Sequence, residues 1–393
     1  MPTAQFDRKS WNPLPDAQPL VPWCRLWPFL RAALSQDHER STLDQQALVA
    51  RLARGELPRR LPRLQASGWS PHAELFLDMD SRLYPFWADI QTLLERLSRL
   101  RGNAGLSVLR WHDEPGGAVC RRGPSGRWSH PMPYHAPPAG TPILLLSDLG
   151  RYGTPGLHSA WQAQGLRWRR QGLCPWALLP VPRRWWLAEW HGLFRPVALS
   201  DKARFPVHGR NPMHWPDSSH EDWRGDAGAH ALLGALAGAV HITPDLLRFL
   251  RLECPELNAD VGSEAAAWLS PLLEIKTWVL MPGSENAQAD LREIHAALPR
   301  VVRERARDLI LMQQMSTGQR ASLHAQEWMR LAALEGKQSS AAEEFMRASL
   351  ARLLSSHSAS MSSRMNAWTS VYGKRLPEES WEQNPAAEAM WLA

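Results

Sequence analysis

Two short apolar runs that end in acids constrain this chain most. Leu75, Phe76 and Leu77 lead directly into Asp78, with Asp80 and Ser81 just beyond. Ile143 to Leu146 lead in the same way into Ser147 and Asp148, with Gly150 behind them. Uninterrupted apolar runs of this length suit strands covered on both faces, as in a parallel sheet. Ligands and partners of open α/β sheets sit beyond the carboxyl ends of the strands. If the two runs are parallel neighbours, their acids and serines share one rim.

The surrounding pattern supports that class. Segment 84–102 places Phe86, Trp87, Ile90, Leu93, Leu94, Leu97 and Leu100 on one helical face, and Gly102-Asn103 stops it. A strand is expected in GLSVLRWHDE, then a loop-rich excursion over 115–140 with room for a short hairpin. After the strand at 142–147, a helix is expected around Leu157 to Arg170, with Pro155 before it as the start signal. CPWALLPV at 174–181 reads as another buried strand and 185–190 as a helix. Strand–helix alternation of this kind predicts right-handed βαβ units and a doubly wound, mostly parallel α/β sheet.

The flanks read as helical. Residues 1–19 are a polar, proline-interrupted lead, and Val21 to Arg63 carry two helical runs around the polar Ser41-Thr42. A linker over 200–226 is followed by an all-helical region, in which Thr243 caps a helix with Pro244 in its first turn. About four helices are expected from Glu285 onward, one opened by a capping box of Ser340 and Glu343, with a break at 355–366. The divisions read from this pattern are 1–70, an α/β domain over 71–200, the linker 201–226, a helical domain over 227–283 and a helical extension over 284–393.

Composition sets the outer bounds. The formal net charge is +6, and the only lysines are Lys9, Lys202, Lys276, Lys337 and Lys374, so arginine carries most of the positive charge. Cys24, Cys120, Cys174 and Cys254 lack any CxxC spacing, which predicts reduced thiols. No apolar run is long enough for a membrane span, and residues 1–15 lack a signal-peptide layout. A cytoplasmic location is the expectation. The 21 tryptophans are a heavy load, and several lie among arginines, in Arg167-Trp168-Arg169-Arg170 and Arg183-Arg184-Trp185-Trp186. Tryptophan and arginine are enriched at protein–protein hot spots, so these segments, together with Arg82, are candidate partner-binding residues. The same mixture could grip phosphate and stack bases, which makes a nucleic-acid-binding protein the alternative class.

Enzyme motifs do not emerge. P-loop, HExxH, GxSxG and GxGxxG patterns are all lacking. His112, His130 and His135 lie in a proline-rich stretch near Cys120 without metal-ligand spacing, and read as solvated loop residues. The acid–serine rim is the remaining site: Asp78, Asp80, Ser81 and Asp148 offer hard oxygen ligands of the type that magnesium takes.

The order LFLDMDSRLYPFW, SVLRWHDE and ILLLSDLG resembles a von Willebrand factor A-type domain. More narrowly, it resembles the divergent bacterial form found in ternary conflict systems beside MoxR-type AAA+ ATPases. The likeness extends from LVPWCRLWPFLRAAL to the helical stretch ending in ECPEL, covering residues 20–282. It implies a non-enzymatic adaptor in a bacterial defence-type system, with a MoxR-type ATPase and an effector as protein partners. The family's DxSxS turn is incomplete here. With Asp78 first, the third position is Asp80 and the fifth is Arg82, a fixed cation where a metal would sit. With Ser81 third, the first position is Met79 and the fifth is Leu83. Asp148 fits both registers. A degenerate, metal-free rim is therefore expected, with a metal-dependent module bearing an intact ion site as a further alternative.

Overall fold

The computed structural model describes residues 18–206, 222–276, 279–316, 331 and 334. The chain divides into two compact units, Pro19–Gly225 and a second formed by Asp226–Ala393 with Met1–Gln18.

The first unit opens with helix α1 (Trp23–Ala33), strand β1 (Ser35–Leu43), helix α2 (Gln45–Ala53) and strand β2 (Arg63–Trp69). β1 and β2 pair antiparallel as a separate two-stranded sheet. The strand β1 corrects the helical reading of Val21 to Arg63. SQDHERSTL has no apolar periodicity of its own, and its strand form depends on pairing with a segment more than twenty residues on.

The main sheet has seven strands: β3 (Ala73–Leu77), β4 (Leu106–Trp111), β5 (Ala118–Arg121), β6 (Met132–Pro133), β7 (Ile143–Leu146), β8 (Trp176–Leu179) and β9 (Arg195–Ala198). Their order is β6-β5-β4-β3-β7-β8-β9. β4, β3, β7, β8 and β9 run parallel, while β5 and β6 form an antiparallel edge. Helix α3 (Trp87–Arg101) follows β3, and α4 (Pro155–Arg170) follows β7. Thr154 caps α4 ahead of Pro155, as the proline signal predicts.

Register shows which side chains share a face. Phe76, Leu145 and Ala177 form one row, and Leu75, Leu144 and Trp176 form the row on the opposite face. On the first face, Trp168 of α4 lies edge-on to Phe76 at 5.7 Å. On the second, Phe29 of α1 meets Trp176 at 5.4 Å, and α3 runs beside α1, with Arg96 over the Trp23 ring. Helices therefore cover both faces, which is why β3 and β7 carry no polar position except Glu74. That carboxylate accepts a 2.8 Å hydrogen bond from the Tyr134 hydroxyl, which in turn accepts one from the Trp168 indole at 3.1 Å. Burial pushes the Glu74 carboxyl above its ordinary range, against the pull of Tyr134 and Arg121.

Two readings are corrected downstream. Segment 185–190 forms no α-helix; it holds parts of two single 3₁₀ turns, Arg183–Trp185 and Ala188–Trp190. Trp185, Trp186 and Trp190 are all buried, and a regular helix would have turned some of them to solvent. β9 also follows here, where no strand was expected.

The second unit contains α5 (Ala227–Leu236), α6 (Pro244–Glu253), α7 (Val261–Trp268), α8 (Glu285–Ala297) and α9 (Arg300–Ser316). It is not all helical, because β10 (Leu273–Lys276) and β11 (Val279–Pro282) form a hairpin. Thr243 caps α6 as expected. The capping box at Ser340 and the break at 355–366 lie outside the described residues.

Candidate functional site

β3 and β7 lie side by side, in parallel, with Leu77 opposite Leu146 and the Asp78 amide donating to the Leu146 carbonyl at 2.9 Å. From β3 the chain crosses to β4 on one side, and from β7 to β8 on the other. The loops leaving these two strands therefore diverge at the point where the strand order reverses, the place where open α/β sheets bind ligands. The sequence-predicted residues Asp78, Asp80, Ser81 and Asp148 all lie in these loops.

At their centre is Arg82. Its guanidinium Nη2 pairs with Asp78 Oδ2, and with Asp148 Oδ1 at 2.9 Å. Nη1 lies 2.9 Å from Asp80 Oδ2, and Nε is 3.2 Å from both Asp148 oxygens. Both Arg82 and Asp148 are buried. Asp80 places the arginine by capping: its side chain accepts from the Arg82 amide at 3.0 Å and starts a 3₁₀ turn, Ser81–Phe86, ahead of α3. One acid thus positions the cation and also pairs with it.

The β7 loop is built to hold Asp148. Its carboxylate accepts from the Gly150 amide at 3.1 Å and the Tyr152 amide at 2.7 Å. This curl of backbone needs two left-handed residues in succession, Leu149 at φ 51° and Gly150 at φ 76°. A side chain at Gly150 would also meet the α4 backbone, with His158 N 2.8 Å from its Cβ. Ser147 completes the bridge between the loops by donating to Asp78 Oδ2 at 2.7 Å and accepting from the Leu149 amide at 3.0 Å.

Burial pushes the Asp78 carboxyl up to about 6; the Arg82 charge and the Ser147 hydroxyl oppose the rise, and the Asp148 charge adds to it. For Arg82, burial acts to lower the pKa, but Asp148 and Asp78 outweigh it and hold the guanidinium well above its ordinary value. Arg82 is therefore a permanent cation.

A divalent ion does not fit this arrangement. The oxygen atoms that would bind it already accept from a guanidinium occupying the space between them. Magnesium would have to displace a guanidinium paired with three carboxylates, one of them the buried Asp148, and the displaced arginine would have to find other partners. Among the described residues, no group of three or more His, Cys, Asp or Glu side chains is placed to hold a metal ion.

The other candidates divide sharply. Trp168, Trp185 and Trp186 are core residues, at 0%, 1% and 2% exposure. The expectation that their rings face a partner is corrected: Trp168 covers a face of the sheet, Trp185 packs on Tyr152, and the Trp186 indole donates to the Val181 carbonyl at 3.1 Å. Trp168 belongs to a cluster with Phe76, Trp111, Tyr134 and Phe194. The arginines beside them point outward. Arg167, Arg169, Arg170 and Arg183 are exposed, and Arg184 is half-buried. Arg184 lies over the Trp185 ring at 4.6 Å and Arg183 over Trp186 at 5.5 Å. Arg167 donates to the Gly116 carbonyl at 3.0 Å. The 183–186 segment packs on the loop that holds Asp148, with Arg151 Nε donating to the Trp185 carbonyl at 2.9 Å and Tyr152 edge-on to Trp185 at 6.3 Å, whereas 167–170 lies at the far end of α4.

Sequence reasoning missed the bridging role of Ser147 and the backbone donors of Gly150 and Tyr152. The Ser-Asp-Leu-Gly order was visible, but which amides curl back on Asp148 depends on the left-handed pair. In comparisons with known proteins, no family model matches this chain, and neither a curated protein nor a solved structure matches it.

Proposed function

We propose that the chain is a non-enzymatic adaptor whose first unit is a von Willebrand A-type domain with a metal-free rim, engaging protein partners at the strand ends. The observation that carries this reading is the position of Arg82, a cation supplied by the chain itself at the sheet's switch point. In the family that the motif order resembles, that position faces partners, and the resemblance implies a MoxR-type AAA+ ATPase and an effector in a bacterial defence-type system. Asp80 and Ser81 present the accessible part of the rim, the Asp80 side chain being 51% exposed. The nucleic-acid alternative loses its stacking platform, since Trp168, Trp185 and Trp186 are interior.

The test is co-purification of the full chain with a MoxR-type ATPase, native and with Ser81→Trp or Asp80→Asn. Both changes leave the buried Arg82–Asp148 pair in place. Capture by the native chain, weakened about tenfold (~1.4 kcal/mol) by Ser81→Trp, is expected. Equal capture by the folded variants would remove the rim from the reading, and no capture by the native chain would remove the partner.

A further inference from the structure

The arm formed by β1, α2 and β2 exposes apolar side chains that the described residues do not cover. α2 buries none of its residues. Five of the ten large apolar side chains exposed among the described residues lie within its short span and the return to β2: Val49, Leu52, Leu57, Leu61 and Leu64. Leu57 is 87% exposed and Val49 65%. Elsewhere in the described chain such residues occur singly, as is ordinary for protein surfaces. A nine-residue helix is too short to be stable by itself, helices under about 12 residues being marginal in water. Local bonds hold its amino-terminal end: Asp44 caps it at the Ala47 amide, and the Asp44 amide donates to the Pro62 carbonyl at 2.9 Å. They leave its outer face uncovered.

Charge indicates what covers that face. Between Asp44 and Leu64 the arm carries five arginines, Arg51, Arg54, Arg59, Arg60 and Arg63, all exposed, against two acids. Of those acids, Asp44 is occupied as a cap and Glu56 lies 3.5 Å from Arg54. The arm is therefore both aliphatic and basic in what it exposes. Arginine forms paired hydrogen bonds with carboxylates, and an amphipathic helix laid into an aliphatic surface anchors through residues at i, i+3, i+4 and i+7. We infer that the arm is a docking site for an acidic amphipathic helix of a partner protein. Two competing occupants fit less well. Segment 44–64 contains no aromatic residue, so it offers no ring to stack on a nucleic-acid base and none to seat at a lipid interface.

The inference is independent of the Arg82 rim, and its test leaves that rim untouched. The probe is a labelled synthetic helix with leucines at i, i+3, i+4 and i+7 and glutamates flanking them, titrated into the full chain by fluorescence anisotropy. The same composition in scrambled order is the control. Binding of the ordered peptide is expected, weakened about tenfold by Val49→Asp with Leu52→Asp and to a similar degree by Arg59→Glu with Arg60→Glu. All four positions are exposed, so both variants should keep the native circular dichroism and melting midpoint. Equal binding of ordered and scrambled peptides overturns the proposal. So does concentration-dependent dimerisation abolished by Val49→Asp with Leu52→Asp, which would make a second copy the occupant. Preferential binding of phosphatidylglycerol vesicles or of a single-stranded oligonucleotide through the same residues would overturn it as well.

Discussion

Arg82 decides what the strand-end site can be. Its removal leaves Asp148, buried at 0% exposure, without the guanidinium paired to it, and breaking a buried ion pair in this way costs about 3–5 kcal/mol. Urea unfolding of Arg82→Ala should show a loss of that size. Millimolar magnesium should leave the native melting midpoint unmoved and raise that of Arg82→Ser, since a ligand that binds only the folded form stabilises it. Asp78 adds a pH dependence. Its folded pKa of about 6 exceeds the ordinary 3.8, so between those values the folded chain holds a proton that the unfolded chain has released. Stability from this group is therefore present at low pH and lost as pH rises toward 6. Asp78→Asn has no such proton to lose. Between pH 4.5 and 7.5 the native protein should lose about 2 kcal/mol relative to Asp78→Asn, measured by urea unfolding at each pH.

Elements with a strong local signal were legible, and those defined by distant partners were not. β3 and β7 announce themselves through apolar runs too dense for any exposed strand, and α4 through Pro155. That reading also brought Asp78, Asp80, Ser81 and Asp148 to one edge and raised Arg82 as a fixed cation. β1 escaped because its residues are polar and its pairing partner is remote. The Trp-Trp run at 185–186 was misjudged because tryptophan suits an interface and a core equally, and only packing decides between them. The contact between α6 and α7 was also hidden. Arg248 and Arg251 sit on the leucine stripe of α6, and both pair with Glu264 of α7, Arg248 Nη2 lying 3.3 Å from Glu264 Oε2. All three are buried. Glu264→Ala leaves two interior arginines without their carboxylate, and a loss of about 3–5 kcal/mol in urea unfolding is expected. Glu264→Gln should recover part of it through hydrogen bonding.

At the scale of the molecule, each compact unit has a core of its own. Residues 19–225 enclose a seven-stranded sheet covered on both faces, with every parallel strand paired within the unit. Expressed alone, this segment should give a cooperative thermal transition and a native near-ultraviolet dichroism from its buried tryptophans; a broad, featureless melt would contradict its independence. Within it, the charge between the two loops is joined to the backbone by covalent bonds. A dissolved ion reaches its ligands at a rate and occupancy set by its concentration, and a chelator strips it away. A tethered guanidinium has no dissociation constant and no bulk pool. An adaptor built around it would hold one rim geometry through any swing in cellular magnesium or calcium, leaving its partners as the variable that changes.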